Sequence, residues 1–173
     1  MNINGNPLII GVSGKATSGK DYVSNLLISE LKDSVRKLSL ADSLKEELAK
    51  ELDIPVDDLY NHNKYQYRER LISFGKEGRS KNINIWIEKL VEKFNSNPTE
   101  ILIIPDIRFP NEAEFIKAHK GIIIRVHRPV ELIDDLSETS LDDYKFDCII
   151  DNTTQPDLTE LIKLINDSRN NTP

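Results

Sequence analysis

The chain has 173 residues, 30% of them charged and 38% hydrophobic, and a formal net charge of −6. That length suits one domain with a sizeable core, and the acidic balance excludes broad electrostatic binding to duplex DNA, which needs a basic surface. The single cysteine, Cys148, excludes an internal disulfide and fits a reducing compartment; no apolar run is long enough for a bilayer and the N-terminus lacks a charged-then-apolar signal pattern, so the expected location is cytoplasmic.

Residues 7–12 (PLIIGV) read as a buried strand, and 19–31 as a helix with Val23, Leu26, Leu27 and Leu31 on one face. A second strand is expected at 35–40, then a helix at 42–52 with Leu44, Leu48 and Leu52 four apart. Helices at 64–76 and 83–94 fill the middle of the chain. A strongly apolar strand follows at 101–104. Pro110 opens the next helix, as proline suits a first helical turn. Strands at 122–126 and 146–150 and a helix at 156–165 complete the pattern, and the tail 166–173 is polar and expected to fray. Short apolar strands alternating with helices predict an α/β fold: a five-stranded parallel sheet with helices on both faces. Ligands of such sheets bind at the carboxyl ends of the strands, so the residues just after each strand are the candidates for chemistry.

After the first strand comes Gly14-Lys15-Ala16-Thr17-Ser18-Gly19-Lys20-Asp21, a G-x-x-x-x-G-K phosphate loop in the required strand–loop–helix context. Its backbone N–H groups point inward at phosphate oxygens and the following helix adds its positive end. Lys20 would reach the β- and γ-phosphates. Asp21 stands where a Ser or Thr usually ligates magnesium; it is either a metal ligand or an acidic residue favoured at a helix N-terminus. After the second strand, Asp42 is either a helix N-cap or a contact for an acceptor hydroxyl, and the residues alone favour the cap. After the third, Asp106 and Arg108 converge on the ligand edge: the carboxylate can orient magnesium or an attacking oxygen, and the guanidinium can clamp a phosphate. Arg68 and Arg70 lie two apart on a helix, so at most one points into a site. Arg79 follows Gly75 and Gly78 in an expected loop, and Arg128 follows the fourth strand, where a side chain can close over a triphosphate. For each of these arginines, and for Arg125, the plain alternative is a solvated surface position. Trp86, at helical spacing from Leu90, reads as core.

The segments GKATSGKDYV, LADSLKEEL, RERLISFGKEGR with NIWI following, IIPDIRFPNEAEFI and SETSLDDYKFDCIIDN span nearly the whole chain. In that order they resemble the bacteriophage deoxynucleoside monophosphate kinases, a family in which Asp fits position 21. The resemblance implies a P-loop fold like that of nucleoside monophosphate kinases, in one domain (1–173) with a helical substrate-binding insertion at about 55–97 and a short lid near 127–145. It implies transfer of the ATP γ-phosphate to a deoxynucleoside monophosphate, with magnesium as cofactor, in the host cytoplasm for a phage-encoded member. Asp42, Lys45, Arg70, Arg79 and Arg108 would then contact the acceptor, Trp86 would help wall its pocket, and Asn152 would line the adenine pocket. Lys20, Asp106 and Arg128 would be catalytic, and Asp21 and Asp106 would hold the metal. Phosphomevalonate, dephospho-coenzyme A, or a modified base in DNA are the alternative acceptors, and a nucleotide-binding module without turnover is the alternative class. Monomer and homodimer are both left open.

Overall fold

A computed structural model describes residues 1–31, 34–60, 66–130 and 135–170. Its elements in chain order are β1 (Leu8–Ser13), α1 (Lys20–Glu30), β2 (Val35–Lys37), α2 (Leu40–Leu52), a short 3-10 turn (Val56–Leu59), α3 (Arg68–Lys81), α4 (Ile85–Asn95), β3 (Ile101–Ile107), α5 (Pro110–Ala118), β4 (Ile122–His127), α6 (Leu136–Thr139), β5 (Cys148–Asp151) and α7 (Thr159–Asn170).

The five strands form one sheet in the order β2-β3-β1-β4-β5, parallel throughout. The strands are nearly continuous Ile, Leu and Val because both faces are covered. Alternate residues of β3 divide between two cores. Ile101 and Ile103 join Val23 and Leu27 of α1 and Leu161 and Ile165 of α7. Leu102 and Ile104 join Ile87, Leu90 and Phe94 of α4 and Phe115 and Ile116 of α5. The chain leaves β1 toward β2 on one side and later returns to place β4 on the other. The crevice at the carboxyl ends of β1, β3 and β4 is therefore the ligand position for such a sheet.

Several boundaries differ from expectation. β2 ends at Lys37, and Ser39 caps α2, so that helix starts at Leu40 and Asp42 is its third residue rather than its cap. The expected helix 64–76 is observed as Arg68–Lys81, while Lys64 lies outside the described residues. Gly78 and Arg79 are thus inside the helix, not in a loop after it. The glycines are there for packing. A Cβ on Gly78 would lie 2.6 Å from the Trp86 ring, and one on Gly75 would lie 2.9 Å from the Leu44 side chain, so α3 approaches α4 and α2 only because both positions lack side chains. The closing helix runs to Asn170, making most of the expected frayed tail helical. The turn α6 had no counterpart in the sequence pattern.

Candidate active site

The phosphate loop leaves β1 at Ser13 and enters α1 through Gly19, whose φ of 91° is a left-handed conformation suited to glycine. Glycine is also needed there for space, since a Cβ would lie 2.1 Å from the Asn152 amide nitrogen. That nitrogen donates to the Ser18 carbonyl at 2.8 Å, and the Asn152 backbone N–H donates to the His127 carbonyl at 2.8 Å. Asn152, expected in an adenine pocket, is a buried brace that ties the end of β5 to the loop. The Ser18 hydroxyl is buried without a hydrogen-bond partner among the described residues. Lys20 folds back over the loop and donates to the carbonyls of Gly14 and Lys15, each at 2.7 Å. Burial, then the nearby Arg108 guanidinium, lowers its pKa to about 8, against the pull of Glu138, Asp106 and Asp21.

Asp106, near the end of β3, meets the first turn of α2. Its carboxylate accepts the Ser39 hydroxyl at 2.6 Å, the Leu40 N–H at 2.9 Å and the Ala41 N–H at 2.8 Å. Burial pushes its pKa up, and these three donors hold it down. The contact aims a negative charge at the positive end of a helix. In the same turn, Asp42 accepts the Tyr60 hydroxyl at 2.6 Å, and the Lys45 ammonium sits 3.7 Å from the centre of the Tyr60 ring. Asp42, Lys45 and Tyr60 thus form one cluster beside Asp106.

Arg108 and Phe109 donate their backbone N–H groups to Glu112, at 2.7 and 3.0 Å. Burial is the main cause that lifts the Glu112 pKa to about 7. The Arg108 guanidinium pairs with Glu138 of α6. Arg79 lies with its guanidinium 4.3 Å from the centre of the Phe109 ring, half-buried. Burial lowers its pKa, and among the described residues it makes no hydrogen bond or ion pair, which leaves its planar fork available. Lys15 donates to the Asp142 carboxylate and to the Glu138 carbonyl at 2.7 Å, and Arg125 bridges Asp142 (2.8 Å) and the Ser13 hydroxyl (3.1 Å).

Two expected acceptor residues are placed differently. Trp86 is 5% exposed and donates its indole N–H to the Gly75 carbonyl at 3.3 Å. It is core, as its spacing indicates, rather than an open pocket wall. Arg70 pairs with Glu51 and Glu77. Glu51 lies at the far end of α2, roughly 16 Å along the helix from the Asp106 contact at 1.5 Å per residue, so Arg70 is not brought to the strand ends. The Asp21 side chain is 84% exposed and pairs with Lys37 at 3.7 Å. Arg128 is exposed just past β4. Glu138, Asp142 and Tyr60 were not singled out beforehand, and Arg125 was weighed only against a solvated surface position. Only Glu138 and Asp142 lay in a segment carrying the resemblance, and no local spacing marks any of the four.

The site therefore holds a phosphate-shaped loop with a lysine at its mouth, and carboxylates and guanidinium groups on the facing strand ends. Among the described residues no group of three or more His, Cys, Asp or Glu side chains could hold a metal on its own. The oxygens present do fit magnesium, which needs only one or two carboxylates when substrate phosphates complete its shell. Asp21 is open, and Asp106 accepts three bonds with about four lone-pair sites. No helix among the described residues is long and apolar enough to cross a membrane.

Comparison with known proteins agrees with this chemistry. The sequence profile of the phosphomevalonate kinase family matches residues 12–121. Phosphomevalonate kinase of Drosophila melanogaster is 26% identical over 170 residues, covering 86% of this chain and 90% of its own. A protein of Acanthamoeba polyphaga mimivirus named "Putative deoxynucleotide monophosphate kinase" is 30% identical over 156 residues, covering 74% of this chain and 78% of its own. Among solved structures, shikimate kinase from Aquifex aeolicus superposes with a TM-score of 0.51 at 16% identity, covering 95% of this chain and 100% of that one, a likeness of fold alone. The five-stranded parallel sheet, the phosphate loop and the family match together make the chain an ATP-dependent phosphotransferase with a P-loop kinase fold, and it belongs to the phosphomevalonate kinase family.

Proposed function

We propose that the acceptor is a deoxynucleoside monophosphate, converted to the diphosphate at the expense of ATP. The observation that carries this reading is the cluster facing the phosphate loop. Tyr60, 42% exposed, sits beside Asp42 with Lys45 on its ring, and Arg79 and Arg108 lie at the end of β3, Arg79 against Phe109 and Arg108 on Glu138. An aromatic face suits a nucleobase, a carboxylate suits a sugar hydroxyl, and guanidinium groups suit a monophosphate. In this reading the segment 55–97 is the acceptor-binding insertion and 127–145 a short lid, of which 131–134 lie outside the described residues.

The chemistry is an in-line displacement in which an acceptor phosphate oxygen bonds to the γ-phosphorus as the bond to the β,γ-bridging oxygen breaks. The loop N–H groups and Lys20 hold the donor phosphates, and Lys20 leaves the Gly14 and Lys15 carbonyls to do so. Arg108 and Arg79 neutralise the acceptor phosphate, and Arg128 covers the transferring group. Asp21 and Asp106 are the residues that would hold magnesium, which would supply positive charge to the donor phosphates. Positioning and electrostatics account for the rate, as is general for phosphoryl transfer.

The family profile favours a second reading, with phosphomevalonate as acceptor. A coupled assay of ADP release separates them: ATP with each natural deoxynucleoside monophosphate in turn, then with phosphomevalonate and with dephospho-coenzyme A, using Lys20→Ala as the blank. Release dependent on a deoxynucleotide supports the proposal. Release with phosphomevalonate alone replaces it with the second reading, and ATP binding without acceptor-dependent release rejects both.

A further inference from the structure

The Glu138 carboxylate occupies a donor position of the phosphate loop. Its Oε2 accepts the Ala16 N–H at 2.6 Å, and its other oxygen pairs with Arg108. Its backbone carbonyl accepts Lys15 at 2.7 Å, and the residue is 9% exposed. Loop N–H groups of this kind are the donors that a bound phosphate oxygen accepts from. A carboxylate and a phosphate oxygen cannot use the same N–H together, and two anions in one half-buried seat repel strongly. The same carboxylate holds the Arg108 guanidinium, which the proposed function assigns to the acceptor.

We propose that Glu138 is a positioning residue that couples the two substrates: it fills the phosphate seat in the resting enzyme, and the donor triphosphate, by evicting it from Ala16, also releases Arg108 for the acceptor phosphate. The inference rests on the reading of the loop as the donor seat and of Arg108 as an acceptor contact. Its consequence is positive cooperativity between substrates. Each strengthens the binding of the other by the same factor, because coupling free energy is reciprocal. Eviction is reversible: as the diphosphate product departs, Glu138 competes for the vacated N–H.

Titration calorimetry on wild type and Glu138→Gln tests this. The donor probe is a non-hydrolysable ATP analogue, and the acceptor probes are the natural deoxynucleoside monophosphates and phosphomevalonate, each measured with and without saturating donor. Wild type is expected to bind its acceptor at least about fivefold more tightly with donor present. Glutamine keeps the shape and loses the charge. The variant is expected to bind donor more tightly by about tenfold or more, the fold-change of one hydrogen bond to a charged group lost to the competitor, with coupling below about twofold. Equal donor affinity in the two proteins, or no coupling in wild type, overturns the inference and leaves the kinase reading standing. Failure of wild type to bind donor at all overturns the donor seat itself. If Glu138→Gln melts well below wild type, Glu138→Asp, which keeps the charge but shortens its reach, gives the same comparison.

Discussion

The Ser39 hydroxyl donates to the Asp106 carboxylate at 2.6 Å, so one side chain on β3 and the cap of α2 are held as a unit. Two backbone N–H groups of the same helix share that carboxylate. An amide in its place offers one accepting oxygen and turns an NH2 toward at least one of these donors. Asp106→Asn is therefore expected to lower stability by about 1–3 kcal/mol, the cost of a buried donor without a partner. It should also raise the acceptor KM, since Asp42 and Lys45 ride on α2. Urea melts and initial-rate kinetics check both, and an unchanged melt would remove Asp106 from the support of α2.

Asp21 presents the opposite case. Its side chain is 84% exposed and its pairing with Lys37, at 3.7 Å, is a surface contact worth less than about 1 kcal/mol. A carboxylate beside donor phosphates is repelled by them unless a cation lies between, and the helix N-terminus offsets only about half a unit charge. Asp21→Asn is expected to leave the melt nearly unmoved, to raise the magnesium concentration needed for half-maximal rate, and to bind metal-free ATP at least as tightly as wild type. An identical magnesium titration in the two proteins would confine Asp21 to its helix terminus.

Gly78 and Gly75 set two opposing effects against each other. In an open helix position, Gly→Ala stabilises by about 1 kcal/mol. At Gly78 the new methyl would sit 2.6 Å from the rigid Trp86 ring, and overpacking typically costs about 1–3 kcal/mol. At Gly75 it would meet the flexible tip of Leu44 at 2.9 Å, which can swing aside. Thermal melts should rank Gly78→Ala below wild type by about 1–2 kcal/mol and Gly75→Ala within about 1 kcal/mol of it. The reverse order would contradict the packing described between α3 and α4.

Glu112 makes stability depend on pH. Its pKa rises from 4.5 to about 7 on folding, chiefly through burial. Across that window the folded protein binds the proton that the unfolded chain has lost, so stability from this group is present at low pH and falls as pH rises to about 7. Glu112→Gln keeps an oxygen for the Arg108 and Phe109 N–H groups and cannot ionise. Relative to wild type it should gain stability between pH 4.5 and 7, by on the order of 2–3 kcal/mol at the upper end, where the pKa shift ends. Parallel stability curves for the two proteins would show that the Glu112 pKa is not raised.

The sheet and the phosphate loop were legible because each has a local signature: near-continuous apolar strands, and glycines at fixed offsets between a strand and a helix. Asp106 and Arg108 were legible by position, being just inside and just after the end of an apolar strand. The start of α2 was not, because Ser39 and Asp42 are both good caps three residues apart and only the approach of Asp106 selects the first. Gly78 and Arg79 read as a loop because the reason for the glycine lies on another helix, in the Trp86 ring. Trp86 was read correctly as core from helical spacing and differently from family likeness, and burial agrees with the spacing. The Glu138–Ala16 contact joins residues 122 positions apart, beyond the reach of any local pattern.

Of the fourteen residues of α3, only Gly75 is fully buried. A helix with two internal glycines and so little buried surface has weak reason to persist without its neighbours. Its amides are thus expected to exchange with solvent through local opening, at a free energy below that of global unfolding. Arg79 is carried on this helix, so its segment is expected to exchange faster than the phosphate loop, which Asn152 braces against β5.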